Sequence, residues 1–411
     1  MKLLPNLLAS ALLAALSTPA LAETAFDVIG GSEISFEGLV QADYYHYNND
    51  LALLGSTGGN SAGDGVNSDS GVRRAELVFK GKGPGTWSWV AGYDVRQDKF
   101  LDVNVAYKFA GATTLKVGQF KQPNSLEELS STKNNDFIAK AMTTNLQAVG
   151  RRLGASLSTG AENWTVTGSV FTRELTRNLA EGNGFGVRGT WAPMRDAGHI
   201  LHLGVSMVDY DARDAGSAVG VTPAFDGDGR ARFRARPDAD LTGTRLVDSG
   251  QFTDANKIRT AGLEGAWIAG PFKLQSEYMR TNVSRSAHSD YGFDSFYVSG
   301  LWNLTGETWT YKDGVVVTGL PSEPAGGMWQ LGLRYDQVDL NDGSFISPAT
   351  VNGVLGGKEH NWTVGVNWYL RSNFKLAMNY VKVNSERFNN TTHLFANDNP
   401  DIIELRAQLY W

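Results

Sequence analysis

A closed antiparallel transmembrane β-barrel of about sixteen strands, with loops folded inward, is the all-β fold that this sequence predicts. Three observations carry that expectation. They are an export leader with no apolar helix after it, an apolar–polar alternation of period two, and connections that alternate between short and long.

Lys2 supplies a positive start, Leu7 to Leu16 an apolar run, and Ala20-Leu21-Ala22 the small-residue pattern of a cleavage site. Residues 1–22 therefore read as a signal peptide and Glu23 as the mature N-terminus, leaving 23–411 as one barrel. The apolar run is well short of the roughly 20 residues that span a bilayer as a helix, and no later stretch approaches that length. Export without a spanning helix points to the bacterial outer membrane. The chain has no Cys, so in an oxidising compartment its stability must come from elsewhere, and a closed hydrogen-bonded sheet supplies it.

Strands are expected near 33–47, 72–81, 86–96, 100–109, 112–120, 149–159, 163–173 and 184–193. They continue near 199–210, 258–269, 272–284, 292–304, 328–340, 359–371, 373–384 and 401–411. In 86–96, Trp87, Trp89, Ala91 and Tyr93 alternate with Ser88, Val90, Gly92 and Asp94. In 328–340, Trp329, Leu331, Leu333 and Tyr335 alternate with Gln330, Gly332, Arg334 and Asp336. In 401–411, Ile403, Leu405, Ala407 and Leu409 alternate with Glu404, Arg406 and Gln408. Such segments run about ten residues with aromatics towards their ends, which suits tilted strands whose Trp and Tyr sit at the headgroups. A soluble sandwich would not keep Gly, Asn and charge on one face of nearly every strand, whereas a water-filled lumen requires it. An even count leaves no sheet edge in lipid. The ending Leu409-Tyr410-Trp411 resembles the terminal strand by which outer-membrane barrels are recognised for assembly, with Trp in place of the usual Phe.

Short links such as Gly81–Gly85, Gly160–Asn163 and Ala269–Pro271 read as periplasmic turns, and 48–71, 121–148, 211–257, 341–358 and 385–400 as outer loops. The segment 229–236 is placed inside 211–257, because a seventeenth strand would break parity. Link 305–327 is long although it falls on the short side, and nothing in the pattern accounts for its excess.

The net charge is −6, but a pore answers only to the groups that line it. Arg230, Arg232, Arg234 and Arg236 alternate with Ala231, Phe233 and Ala235. In extended backbone the four share one face, about 7 Å apart. Such a row repels itself, yet each guanidinium grips oxyanions through paired N–H groups. Lining water, it would form a series of weak anion sites; the alternative is a solvated basic loop touching lipopolysaccharide phosphates. The loop 121–148 carries Lys121, Lys133 and Lys140, opposed by Glu127, Glu128 and Asp136. Folded inward it would set the narrowest point of the barrel; folded outward it would be a paired charged surface. Arg74, on the face of Glu76, Arg152, on the face of Ser156 and Ser158, and Arg259 are further candidates, with Arg73 and Arg151 expected to face the other way. No enzyme constellation appears, His199 and His202 fall on opposite strand faces, and no cofactor is called for.

Several stretches together resemble the phosphate- and polyphosphate-selective porins of the O and P type. They include Arg73-Arg74-Ala75-Glu76-Leu77, Gly118-Gln119-Phe120-Lys121-Gln122-Pro123, Gly150-Arg151-Arg152-Leu153-Gly154, Leu304-Thr305-Gly306-Glu307 and Asn367-Trp368-Tyr369-Leu370. The resemblance implies a homotrimer of sixteen-stranded barrels, with an arginine ladder leading inward and lysines at the constriction. Arg230, Arg232, Arg234 and Arg236 correspond to the ladder, aided by Arg73 or Arg74, Arg152 and Arg259, and Lys140 to the constriction lysine. A second lysine expected four residues later is Thr144, which points to a wider or weaker anion pore suited to pyrophosphate or polyphosphate. Expected partners are phosphate, pyrophosphate or polyphosphate, together with outer-membrane lipid and lipopolysaccharide, and not nucleic acid. A general diffusion or sugar-conducting porin, and a non-channel barrel used for adhesion or membrane structure, remain as rivals.

Overall fold

The computed structural model describes residues 24–28, 32–48, 68–176, 182–212, 229–239, 245–323, 325–347, 350–371, 373–389 and 394–411. The expected signal peptide 1–22, residue Glu23, most of link 48–71 and part of 211–257 lie outside the described residues.

The barrel strands are β1 Ser32–Asn48, β2 Ser68–Lys82, β3 Trp87–Asp94, β4 Lys99–Lys108, β5 Thr114–Lys121, β6 Arg151–Ala161, β7 Trp164–Phe171 and β8 Gly184–Asp196. They continue as β9 His199–Asp211, β10 Phe252–Ala269, β11 Phe272–Arg285, β12 Tyr291–Asn303, β13 Met328–Ser347, β14 Thr350–Arg371, β15 Phe374–Asn389 and β16 Asp401–Tyr410. Each pairs antiparallel with its sequence neighbours, and β16 returns to β1 from Leu39↔Tyr410 to Asn48↔Asp401, so the sheet closes as a 16-strand barrel. The terminal residue joins the seam, with backbone hydrogen bonds in both directions between Trp411 and Gly38 (3.0 and 3.2 Å).

Burial is inverted relative to a soluble sheet. Trp267, Leu274, Leu333, Val364 and Leu405 stand exposed, while Glu277, Arg334, Asn361 and Arg406 from the alternate positions are buried. Apolar side chains facing outward and polar ones facing the enclosed space are what lipid outside and water inside select. Aromatic residues gather where strands meet the short turns: Trp87 packs on Tyr107, Phe272 on Trp302, and Trp329 stacks on Trp368 with centroids 4.9 Å apart. This is the belt that Trp and Tyr form at a headgroup layer.

All sixteen expected segments are strands, but two of the expected outer loops are largely paired backbone. Within 341–358, β13 and β14 stay paired from Asn341↔Leu355 to Ser347↔Thr350, with a register shift between Phe345 and Ser347. Within 385–400, the end of β15 pairs with Leu394–Asp398. The expected strands end at the length that crosses a bilayer, whereas two neighbouring backbones satisfy each other equally well beyond it.

Link 305–327 now has an explanation. Trp309–Lys312 and Val315–Thr318 form a hairpin closed by Asp313-Gly314, whose φ values of 50° and 78° make the two-residue turn that suits strand twist. Trp309 is fully buried with Leu126, Ile200, Ala266, Ile268, Leu301 and Val316. The hairpin therefore enters the barrel from the periplasmic end and packs against the loop that enters from outside.

Candidate pore constriction

The segment between β5 and β6 folds inside the barrel. Its backbone lacks a sheet ladder, so its N–H and C=O groups need other partners, and the inner wall provides them. In α1 (Leu126–Leu129), the N–H groups of Leu126 and Glu127 donate to the Glu277 carboxylate of β11 at 3.0 and 2.8 Å. In α2 (Met142–Gln147), the Met142 N–H and the Thr143 hydroxyl donate to Asp336 of β13, and Gln147 donates to Thr281 of β11. Between the helices the wall donates instead. Gln408 reaches the carbonyl of Lys133 (2.8 Å), Lys375 that of Asn135 (2.6 Å), Asn367 that of Asp136 (2.6 Å), Arg406 that of Ile138 (2.6 Å) and Arg334 that of Ala139 (3.0 Å). Phe137 lies against Gly332 and Gly365, which face each other across β13 and β14; a Cβ at either would come within 3.0 Å of its ring. Glycine there lets the loop lie flat on the wall.

With the loop pressed against β11–β16, the open space lies towards β1–β4. A cavity of about 360 Å³ is bounded by Glu37, Glu76, Lys80 and Asp102 of the wall, by Glu127 and loop residues 129–136, and by Val315–Thr318 of the hairpin. Lys121 and Lys133 line it. Lys121 donates to the carbonyls of Glu128 and Ser130 (the latter 3.0 Å), and Lys133 sits 3.0 Å from Glu37. Lys140 is not on the lining but pairs with Glu128 at 2.5 Å, and Thr144 donates to Glu127 at 2.5 Å. Burial would raise the Glu128 carboxyl, yet Lys140 and Lys121 together hold it down at about 2. Burial pushes its neighbour Glu127 up despite Arg334.

The cavity also holds Lys80 and Lys273, which the sequence pattern did not single out, and Arg151, which was expected to face the other way. Lys80 pairs with Glu37, Lys273 with Asp136 at 2.5 Å, and Arg151 with Asp102 at 3.0 Å. Lys80 was within reach of the period-two argument, since it shares a face with Arg74 and Glu76. Arg151, not Arg152, reaches the cavity. Arg151 is the residue where the loop ends and β6 begins, and Asp102, beside a register shift between β3 and β4, meets it. Arg152 is buried, bonded to the Arg151 carbonyl and 3.7 Å from Glu174. Arg74 stays on the inner face, donating to Gln41 at 2.9 Å and lying 3.5 Å from Glu76.

Arg259 is a correction. It shares its strand face with the exposed Leu263 and Trp267 and pairs with Asp209 at 2.6 Å, so it points outward and not into the lumen. The alternation itself requires this, because the inner residues of β10 are Ile258, Thr260 and Glu264.

Above the constriction, residues 229–239 and 245–251 form a short inward-folded layer. Gly229 pairs with Ala255, and Arg234 with Asp248. Ala231, Phe233 and Ala235 are buried against Ile258, Val283, Tyr291, Phe293 and Val338 of the inner wall, and against Met142 of α2. Arg230, Arg232 and Arg234 lie on the opposite, exposed face, with Arg236 half-buried. Arg232 forms a two-pronged ion pair with Asp248.

A model of the family described as phosphate-selective porin O and P matches residues 48–411. Porin O of Pseudomonas aeruginosa is 26 % identical over 392 residues, covering 87 % of this chain and 85 % of that one. Among solved structures, the outer membrane channel DcaP of Acinetobacter baumannii superposes with a TM-score of 0.56 at 11 % identity, over 94 % of this chain and 100 % of that one. The anion-selective porin from Comamonas acidovorans does so with a TM-score of 0.54 at 11 % identity, over 92 % and 100 %. The inverted, closed barrel with its inward loop and the match along most of its length lead to one conclusion: the chain is a bacterial outer-membrane protein that belongs to the phosphate-selective porin O and P family.

Proposed function

We propose that the protein is a passive anion-selective channel, and that phosphate-type anions (phosphate, pyrophosphate or polyphosphate) are its cargo. One observation carries the reading: the 230–236 strip turns Phe233 and its alanine neighbours to the wall and Arg230, Arg232 and Arg234 to the enclosed water. Fixed guanidinium groups in such a vestibule concentrate anions regardless of the acidic total. The names of the family and of the Comamonas acidovorans porin point the same way. Apolar residues on the outer face meet lipid, lipopolysaccharide surrounds the outer rim, and the working unit is three copies, the form in which OmpT of Vibrio cholerae has also been solved.

The constriction tempers this selectivity. Lys80, Lys121, Lys133, Lys273 and Arg151 share the cavity with Glu37, Glu76, Asp102, Glu127 and Asp136, so the lining is balanced in charge. Anion preference is therefore assigned to the vestibule, and the narrow part holds anions weakly enough to let them go. The same balance favours a general diffusion porin as the second reading. Reversal potentials across a planar bilayer in a KCl gradient separate the two. The Arg230→Ala, Arg232→Ala, Arg234→Ala, Arg236→Ala variant should lose most of its preference for chloride, and phosphate should half-block its chloride current only at about tenfold higher concentration. Parental behaviour in that variant would refute the vestibule reading, and the absence of regular channels in the parent would favour adhesion.

A further inference from the structure

Asp248 is 5 % exposed, and its carboxylate is held from several sides. Oδ1 accepts from Arg232 Nε at 2.9 Å and from the Gly250 N–H at 3.0 Å, and Oδ2 accepts from Arg232 Nη2. Arg387 reaches in from β15, placing Nη2 3.8 Å from Oδ2. Arg245, three residues earlier, is pushed down to about 10 by burial and by the positive field of Arg236, Arg234 and Arg232. A planar guanidinium fork, a second guanidinium and a backbone N–H thus converge on one oxyanion, which is the donor set of a phosphate site. The oxyanion present belongs to the chain itself.

We propose that Asp248 is a tethered stand-in for the permeating anion: its carboxylate fills a socket made by Arg232, Arg387 and the Gly250 N–H, and a phosphate-type anion displaces it on entry. This rests on the reading that anions travel along the 230–236 strip. An arriving anion exchanges for the carboxylate, and the returning carboxylate helps it leave, so a site with strong donors does not become a trap. Longer polyphosphates, able to reach the socket while still touching neighbouring arginines, gain most.

The test is the pyrophosphate concentration that half-blocks chloride current through single channels. Asp248→Asn removes the charge while keeping the shape and should lower that concentration about tenfold, the worth of one charge-assisted pair. Asp248→Glu keeps the carboxylate and should return it towards the parent value. Arg387→Gln should raise it. An unchanged or higher value in Asp248→Asn overturns the proposal, as does an equal shift in the Asn and Glu variants, which would make the effect one of shape and not charge. The quadruple arginine variant keeps the two claims apart. If it loses anion preference while Asp248→Asn changes nothing, only the tethered anion fails; if it keeps anion preference, the strip reading itself fails.

Discussion

Arg334 is 1 % exposed, and its surroundings show how a charge is tolerated inside the barrel. It donates to the Ala139 carbonyl, lies 3.1 Å from Asp238 and 3.8 Å from Glu127, and covers the Phe137 ring at 4.7 Å. One side chain thus fastens both the constriction loop and the arginine-bearing layer to β13. Arg334→Met should leave Asp238, Asp336 and Glu127 without their shared counter-charge, at a cost of about 3–5 kcal/mol. The expected readout is a larger and noisier single-channel current; a quiet parental current would show that the loop is held without it. The inward direction of Arg334 was legible from period two. Its purpose was not, because the carbonyl it serves lies 195 residues away in sequence. The lysines tell the same story: carboxylates near them were visible, but Lys133 takes Glu37, 96 residues back, and Lys140 takes Glu128.

At the scale of elements, the constriction is assembled by a loop from outside and a hairpin from the periplasmic end. The loop answers to acid through Glu128. Its folded value of about 2 lies below the ordinary 4.5, so the pairing with Lys140 and Lys121 stabilises the folded loop fully above about pH 4.5, and that contribution is lost as pH falls from there towards 2. The extra protease protection of the parent loop over Glu128→Gln should be constant from neutral pH down to about 4.5 and shrink below it; a difference that is already lost near pH 6 would contradict this. The hairpin depends on Trp309. Trp309→Ala should cost about 3–5 kcal/mol of local packing and free the hairpin. Channel conductance should rise, and an unchanged value would mean that the hairpin does not restrict the path. Here the sequence carried a signal that went unused: Asp313-Gly314 between two four-residue runs is the turn chemistry of a hairpin. It accounts for the excess length of 305–327 on a side where short turns are the rule.

At the scale of the molecule, alternation was enough to place all sixteen strands, since a wall between lipid and water imposes period two on almost every residue. The interior follows no such rule. The loop leaves the wall between β5 and β6, but Glu277, Asp336, Asn367, Lys375, Arg406 and Gln408, which receive it, lie on β11–β16. During assembly, then, the inward loop has nowhere to dock until the last third of the chain is in place. A half-built barrel has no waist, and narrowness is the final property that the molecule acquires.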